Sequence, residues 1–317
     1  MRVSSLQRLP GVNRYFRYLA PLYPRVFESF DLRAYDTIVS STSAWAKGVI
    51  AAPGATHVCY INTVSRFAFA YDAYVGGLVT AGPWALTAPL ARPIVARLVD
   101  WDRHAALRPT AFVANSTNVA QRVRKHYGRD AYVLHAPVDI DRFTVGGGEG
   151  DYNLVVSRLL PYKRIDIAIA ACAIARVPLR IVGTGPAVAA LRAAARNTDT
   201  TFCGAVSDEH LNRMMGAARA IIVPGEEDFG LVPIEAAAAG RPTIALRRGG
   251  ALETVVPGVT GEYFDAPQAE ALAAVLSRFD PARYDARALR AHAEQFAPSR
   301  FIERLRAIVE EVRSTSR

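Results

Sequence analysis

Glu227 and Glu235 stand with seven residues between them in the stretch EEDFGLVPIE. Glu226, Glu227 and Asp228 put three acids into one turn. Pro233 then follows where a helix can start, because a proline in the first turn gives up only an N–H that would have had no intrahelical partner. Gly240 and Pro242 mark where that helix must stop. The backbone amides of Phe229, Gly230, Leu231 and Val232 would converge at the helix N-terminus, an anion site by geometry and by dipole. Glu235, in the first helical turn on this reading, is stabilised by the dipole and can accept two hydroxyl hydrogen bonds, such as those of a ribose. Glu227 lies at the far side of the same anion site. The plainer alternative is one capping acid and one solvated acid.

Two further loops carry residue types suited to the same ligand. In VSRLLPYKRID, Arg158 and Lys163 bracket a turn between a strand and a helix. A planar guanidinium with five donors beside a compact ammonium suits a diphosphate, although two solvated cations would look the same. In VGTGPA, Gly183 and Gly185 would let a ligand approach the backbone closely. Two glycines without the third of the dinucleotide fingerprint are equally read as a plain tight turn. No acidic residue follows about twenty positions on to hold a ribose in the NAD manner, so a dehydrogenase is excluded.

These loops need strands and helices to hold them. Short β-branched runs alternate with helical segments along the whole chain. Asp36–Ser40 and His57–Ile61 read as strands, with a helix over SAWAKGVIA between them. The strands are apolar throughout instead of alternating, as in parallel sheets covered on both faces. The class is therefore α/β, with right-handed crossovers and doubly wound sheets. The run TVGGGEGD (144–151) is the linker candidate, giving two Rossmann-like domains facing a cleft. Their expected spans are 1–143 and 151–298, with a C-terminal helix over 299–317 packing back on the first. Ligands of such sheets bind beyond the carboxyl ends of the strands, where all three loops lie.

With 317 residues, 51% hydrophobic and 21% charged, the chain is globular and long enough for two cores. Its three cysteines and six histidines show neither disulfide nor metal-ligand spacing, so no metal is expected. A net charge of +9 suits a phosphorylated ligand, a membrane surface or nucleic acid. The cations are scattered, without a nucleic-acid module, which argues against the last. The charge-free stretch from Val75 to Ala91 falls short of the ~20 residues needed to cross a bilayer, and the N-terminus lacks a signal pattern. The expected location is cytoplasmic. Arg8, Arg14, Arg17 and Arg25 interleave with Tyr15, Phe16, Tyr18, Tyr23 and Phe27, which suits an anionic membrane interface. Packing of those aromatics on the first domain's core is the alternative.

Arg158 and Lys163 followed by Glu227 and Glu235, in that order and spacing, resemble family 4 of the retaining glycosyltransferases, which have the GT-B fold. SRLLPYKRIDIAI, EEDFGLVPIEAAAAGRPTIALRRGGALETV and TGEYF run in register with that family's donor domain. CYINTVSRFAFAYD and VANSTNVAQRVRKHYGRDAYVLHAPVDIDRF are similar to its acceptor domain, notably in bacterial mannosyltransferases of surface polysaccharide synthesis. The resemblance implies a nucleotide-sugar donor, GDP-mannose in that branch, and a glycan or lipid-linked acceptor. It implies that Arg158 and Lys163 hold the donor diphosphate, Glu235 the ribose, and Glu227 with the amides of Phe229 to Val232 the sugar and distal phosphate. No metal would be required. Two departures stand out. Asn62 occupies the place where the family carries a histidine that touches the transferred sugar, and the family's first strand and glycine-rich loop are expected before SSLQRLP. A hexosamine 2-epimerase shares the architecture, but no convincing acid/base set is visible. A catalytically silent GT-B protein that binds nucleotide and supports a partner glycosyltransferase is the alternative from another class.

Overall fold

The computed structural model describes residues 3–8, 19–65, 88–146 and 150–315. The chain divides into two compact units, one of residues 1–134 with 304–317 and one of residues 135–303.

In the first unit, helix α1 (Tyr23–Glu28) precedes strand β1 (Thr37–Thr42) and strand β2 (Thr56–Ile61). Helix α2 (Ala88–Ala105), strand β3 (Ala111–Ala114), helix α3 (Thr117–Tyr127) and strand β4 (Ala131–Val133) follow. The four strands pair in parallel in the order β1-β2-β3-β4. Every residue of β2 is buried, including the polar Thr56 and His57, as expected of a strand covered on both faces. Helix α3 begins where Ser116 Oγ accepts from Val119 N, and it ends at Gly128 in the left-handed region (φ 64°).

The second unit runs through strand β5 (Asn153–Val156), helix α4 (Ile165–Ala175), strand β6 (Leu179–Val182), helix α5 (Val188–Ala194) and strand β7 (Thr200–Gly204). It continues with helix α6 (Asp208–Ala217), strand β8 (Ala220–Val223), helix α7 (Leu231–Ala238), strand β9 (Thr243–Leu246), helix α8 (Ala251–Thr254) and strand β10 (Gly261–Phe264). Helices α9 (Ala269–Arg278), α10 (Ala286–Ala293) and α11 (Pro298–Thr315) complete the described chain. The six strands are parallel in the order β10-β9-β8-β5-β6-β7. Neighbouring strand residues serve opposite faces. Val155 and Ile222 join a core with Ile165, Ile169 and Leu272, while Leu154 and Ile221 join a second core with Met215, Ile234 and Leu289. Each such side chain, fully buried, contributes about 1.5–3 kcal/mol.

Three sequence expectations are corrected. SAWAKGVIA forms only a single 3-10 turn, Ala46–Gly48. Thr42 Oγ1 accepts from both Ala44 N (2.9 Å) and Ala46 N (3.1 Å), a local turn that competes with helix propagation. Helix α7 starts at Leu231, two residues before Pro233. Residues 135–143 belong to the second unit, where Val138 N donates to Phe296 O and Ile140 and Phe143 join the core. Of the linker run, residues 147–149 lie outside the described residues, as do Arg14, Tyr15, Phe16, Arg17 and Tyr18. Tyr23 packs edge-on against Trp45, 5.6 Å between ring centroids.

Candidate functional site

In the six-stranded sheet the strand order reverses between β5 and β8: β6 and β7 continue one way, β9 and β10 the other. Loops leaving the carboxyl ends of two strands at such a point splay apart and leave a crevice. Residues 157–164 leave β5, and residues 224–230 leave β8.

The two loops are joined by charge. Lys163, at the end of the 3-10 turn Pro161–Lys163, donates from Nζ to both carboxylate oxygens of Glu227 at 2.5 Å. The Lys163 and Glu227 side chains retain 15% and 21% exposure, so the pair is half-buried yet reachable from solvent. Arg158 is exposed on the same loop. Gly230 caps α7 with φ 95°, and Phe229 is buried beside it, so the chain turns abruptly from Glu227 into the helix N-terminus. Leu231 is exposed and Val232 half-buried at the start of that helix.

Glu235 lies in the second turn of α7, not the first, because the helix starts at Leu231. Burial pushes its carboxyl above the usual range, Arg142 opposes this, and Asp208 adds to it. The dipole stabilisation expected from the sequence does not prevail, since it fades beyond the first turn.

The glycines of VGTGPA serve the fold of the loops themselves. A Cβ at Gly183 (φ 133°) would lie 1.8 Å from Ser157 O, and one at Gly185 would lie 2.4 Å from Leu159 O. Leu159 N donates to Thr184 O, and Ala187 N donates to Leu159 O, so the 182–187 turn is laced to the Arg158 loop.

A third turn, after β9, closes the group, and the reading of strand-end chemistry missed it. Gly250 N donates to Glu227 O at 2.9 Å, and Glu227 and Gly249 form an isolated parallel bridge. His135 was missed as well. Its ring stacks on Phe229 with centroids 5.3 Å apart and planes 16° apart, while Nε2 lies 3.1 Å from Glu253 Oε2. The pair is 118 residues apart in sequence, beyond any periodicity. Asn62 belongs to the first unit, at the carboxyl end of β2, where Nδ2 donates to Thr42 O (3.3 Å) and Ser41 Oγ (3.4 Å).

Residues 141–295 match the family described as glycosyl transferases group 1. This segment belongs to that family. It contains Lys163, Glu227, Glu235 and all three laced turns. The chain is 32% identical over 241 residues to a GDP-mannose-dependent alpha-(1-6)-phosphatidylinositol monomannoside mannosyltransferase of Mycolicibacterium smegmatis, covering 61% of this chain and 63% of that one. A D-inositol 3-phosphate glycosyltransferase of Streptomyces scabiei is 31% identical over 224 residues, covering 58% of this chain and 50% of the relative. The chain thus spans about half to three fifths of these curated relatives. Among solved structures, a sucrose-phosphate synthase of Thermosynechococcus elongatus superposes with a TM-score of 0.72 at 19% identity, over 96% of this chain and 80% of its own. Such structural neighbours are GT-B glycosyltransferases, and the α/β class of parallel sheets flanked by helices agrees with them. Among the described residues, no helix is long and apolar enough to cross a membrane.

Proposed function

We propose that the protein is a retaining glycosyltransferase that moves a sugar from a nucleotide sugar to a glycan or lipid-linked acceptor, without a metal. The carrying observation is the meeting of Lys163 and Glu227 at the strand-order reversal of a group 1 domain. Breaking the bond between the anomeric carbon and the diphosphate oxygen leaves negative charge on the diphosphate. Lys163, exposed Arg158 and the amides at the start of α7 are the groups that receive it, and fixed donors of this kind act most strongly where charge develops. Glu227 holds sugar hydroxyls, and Glu235 holds the ribose. An acceptor hydroxyl supplies the new glycosidic oxygen and passes its proton to the departing diphosphate oxygen as the bond forms. Gly183 and Gly185 act indirectly, by letting the loop that carries Arg158 pack closely.

The donor is proposed to be GDP-mannose, on the strength of the similarity to the Mycolicibacterium smegmatis mannosyltransferase. Attachment to the inner face of an anionic membrane is proposed from the basic and aromatic residues near the N-terminus. Calorimetry with GDP, UDP and ADP, each with and without chelator, tests the site. Binding of GDP that survives chelation is expected. Strict metal dependence, or binding of none of the three, would overturn it. Radiolabelled sugar transfer from GDP-mannose against UDP-glucose to a membrane extract then tests donor and acceptor class.

A further inference from the structure

We infer that His135, paired with Glu253, is a positioning residue that sets the loop carrying Glu227 and so governs discrimination between a nucleotide sugar and its bare nucleoside diphosphate. The inference rests on the proposed role of Glu227 toward the donor sugar.

Two backbone segments meet at Glu227. One is its own loop, leading to Phe229. The other is the turn before α8, whose Gly250 N donates to Glu227 O. The contact admits no side chain, because a Cβ on Gly250 would lie 2.2 Å from Phe229 O. His135 grips both segments with different parts of one ring. Its face stacks on Phe229, and its edge reaches Glu253 on α8 at 3.1 Å. A carboxylate only accepts, so the proton of this bond sits on Nε2.

The grip has backing on both sides. Phe296 lies 5.6 Å from the His135 ring and 6.0 Å from Phe229, closing an aromatic triangle. His292 meets Phe296 edge-on, and its Nε2 lies 3.2 Å from Thr254 O, on the same short helix as Glu253. Phe229 is 3% exposed, so it shifts only if this cluster shifts. A residue needed solely to fill space there would be apolar. Instead, an imidazole presents a donor to a carboxylate across 118 residues of chain. The consequence reaches Glu227, two residues before Phe229, whose carboxylate must keep its bearing on Lys163 and on a sugar. Fixing such groups within fractions of an ångström is what supporting contacts do for a site.

The test is calorimetric titration of the full chain and of His135→Phe, Glu253→Ala and the double variant with GDP and GDP-mannose, beside melting curves. His135→Phe keeps a ring on Phe229 and loses the bond to Glu253. GDP affinity should stay within twofold in all three. GDP-mannose affinity should fall five- to tenfold in each single variant, with the double no worse than either, because the two residues act through one contact. Should Glu253→Ala fail to fold, Glu253→Gln replaces it. Equal losses for both ligands, unchanged discrimination, or additive losses in the double would overturn the inference while leaving the proposed function intact. Failure of the unaltered protein to bind either ligand would instead overturn the donor-site reading, and the inference with it.

Discussion

Lys163 Nζ donates to both carboxylate oxygens of Glu227 at 2.5 Å, joining the loops that leave β5 and β8. A diphosphate that uses Lys163 must therefore share it with a carboxylate already in place. The two residues should fail differently. Lys163→Met should weaken GDP and GDP-mannose alike, by roughly ten- to a hundredfold, the value of about 1.5–3 kcal/mol for a hydrogen bond to a charged group. Glu227→Gln leaves Lys163 uncommitted, so GDP binding should hold or improve while the preference for the sugar-bearing ligand disappears. Paired titrations decide the matter, and matching losses in both variants for both ligands would contradict the assignment.

The proposed ribose contact of Glu235 comes with a stability cost. Burial raises its carboxyl pKa in the folded protein. For an acid raised on folding, the native state binds more protons than the unfolded chain, so its stabilising contribution is present at low pH and is lost as pH rises through the folded value. At neutral pH the ionised, buried group therefore destabilises. Glu235→Gln should melt higher than the unaltered protein at pH 7, and the gap should close as the pH falls below the usual carboxylate range. The same change should weaken GDP binding about tenfold, since an amide accepts a ribose hydroxyl less strongly than a carboxylate does. A variant that melts lower at pH 7 would sink this account.

Much of this arrangement was legible in the sequence. Parallel strands buried on both faces announce themselves as apolar runs, and loops at their ends carry the cations and acids that a strand cannot hold. The placement of Arg158, Lys163 and Glu227 on loops that leave strand ends is legible in this way. Helix α7 starts two residues before Pro233 for a physical reason. The first helical N–H groups all lack an intrahelical acceptor, so Pro233 fits at the third position as well as at the first and does not fix the boundary. The misread turn at Ala46–Gly48 depended on the Thr42 hydroxyl, whose bonds to two amides leave no trace in hydrophobic periodicity. What stayed hidden is long-range pairing. His135 finds Glu253, and Lys47 finds Asp102 across 55 residues, through the fold alone.

That second pair is fully buried, with neither side chain exposed. Lys47 Nζ donates to Asp102 Oδ1 and to Ala44 O, while Ser65 Oγ and Tyr127 OH each donate to Asp102 at 2.7 Å. Desolvation pulls the Lys47 pKa down and Asp102 opposes it. Removing one member of such a pair costs about 3–5 kcal/mol because a buried charge is left uncompensated. Asp102→Asn should destabilise by that order, with fluorescence of the neighbouring Trp101 as the probe in denaturant titration. Adding Lys47→Met should restore at least half of the loss, since the amide introduced at position 102 can accept from one of the two hydroxyls through its oxygen and donate to the other through its NH2. A double variant weaker than the single would show that the ion pair is not the source of the cost.

His57 gives the first unit its own dependence on acid. It is 1% exposed on β2, and Ser40 Oγ lies 2.8 Å from Nε2, while Nδ1 has no hydrogen-bond partner among the described residues. Burial lowers its pKa from the ordinary 6.5 to about 4. For a base lowered on folding, the unfolded chain takes up a proton that the native ring refuses. The contribution to stability is therefore complete above pH 6.5 and is lost as the pH falls toward about 4. A shift of this size corresponds to about 3 kcal/mol across the window. His57→Phe removes the titrating group, so its stability should fall less steeply between pH 6.5 and 4 than that of the unaltered protein, even if it is lower at pH 7 because Ser40 has lost its partner. Denaturant unfolding at closely spaced pH values, followed by tryptophan fluorescence, measures both slopes. Residues 135–303 contain no tryptophan, so the signal reports on the first unit and not on the second. Parallel curves for the two proteins would mean that the buried imidazole is not what makes this unit sensitive to acid.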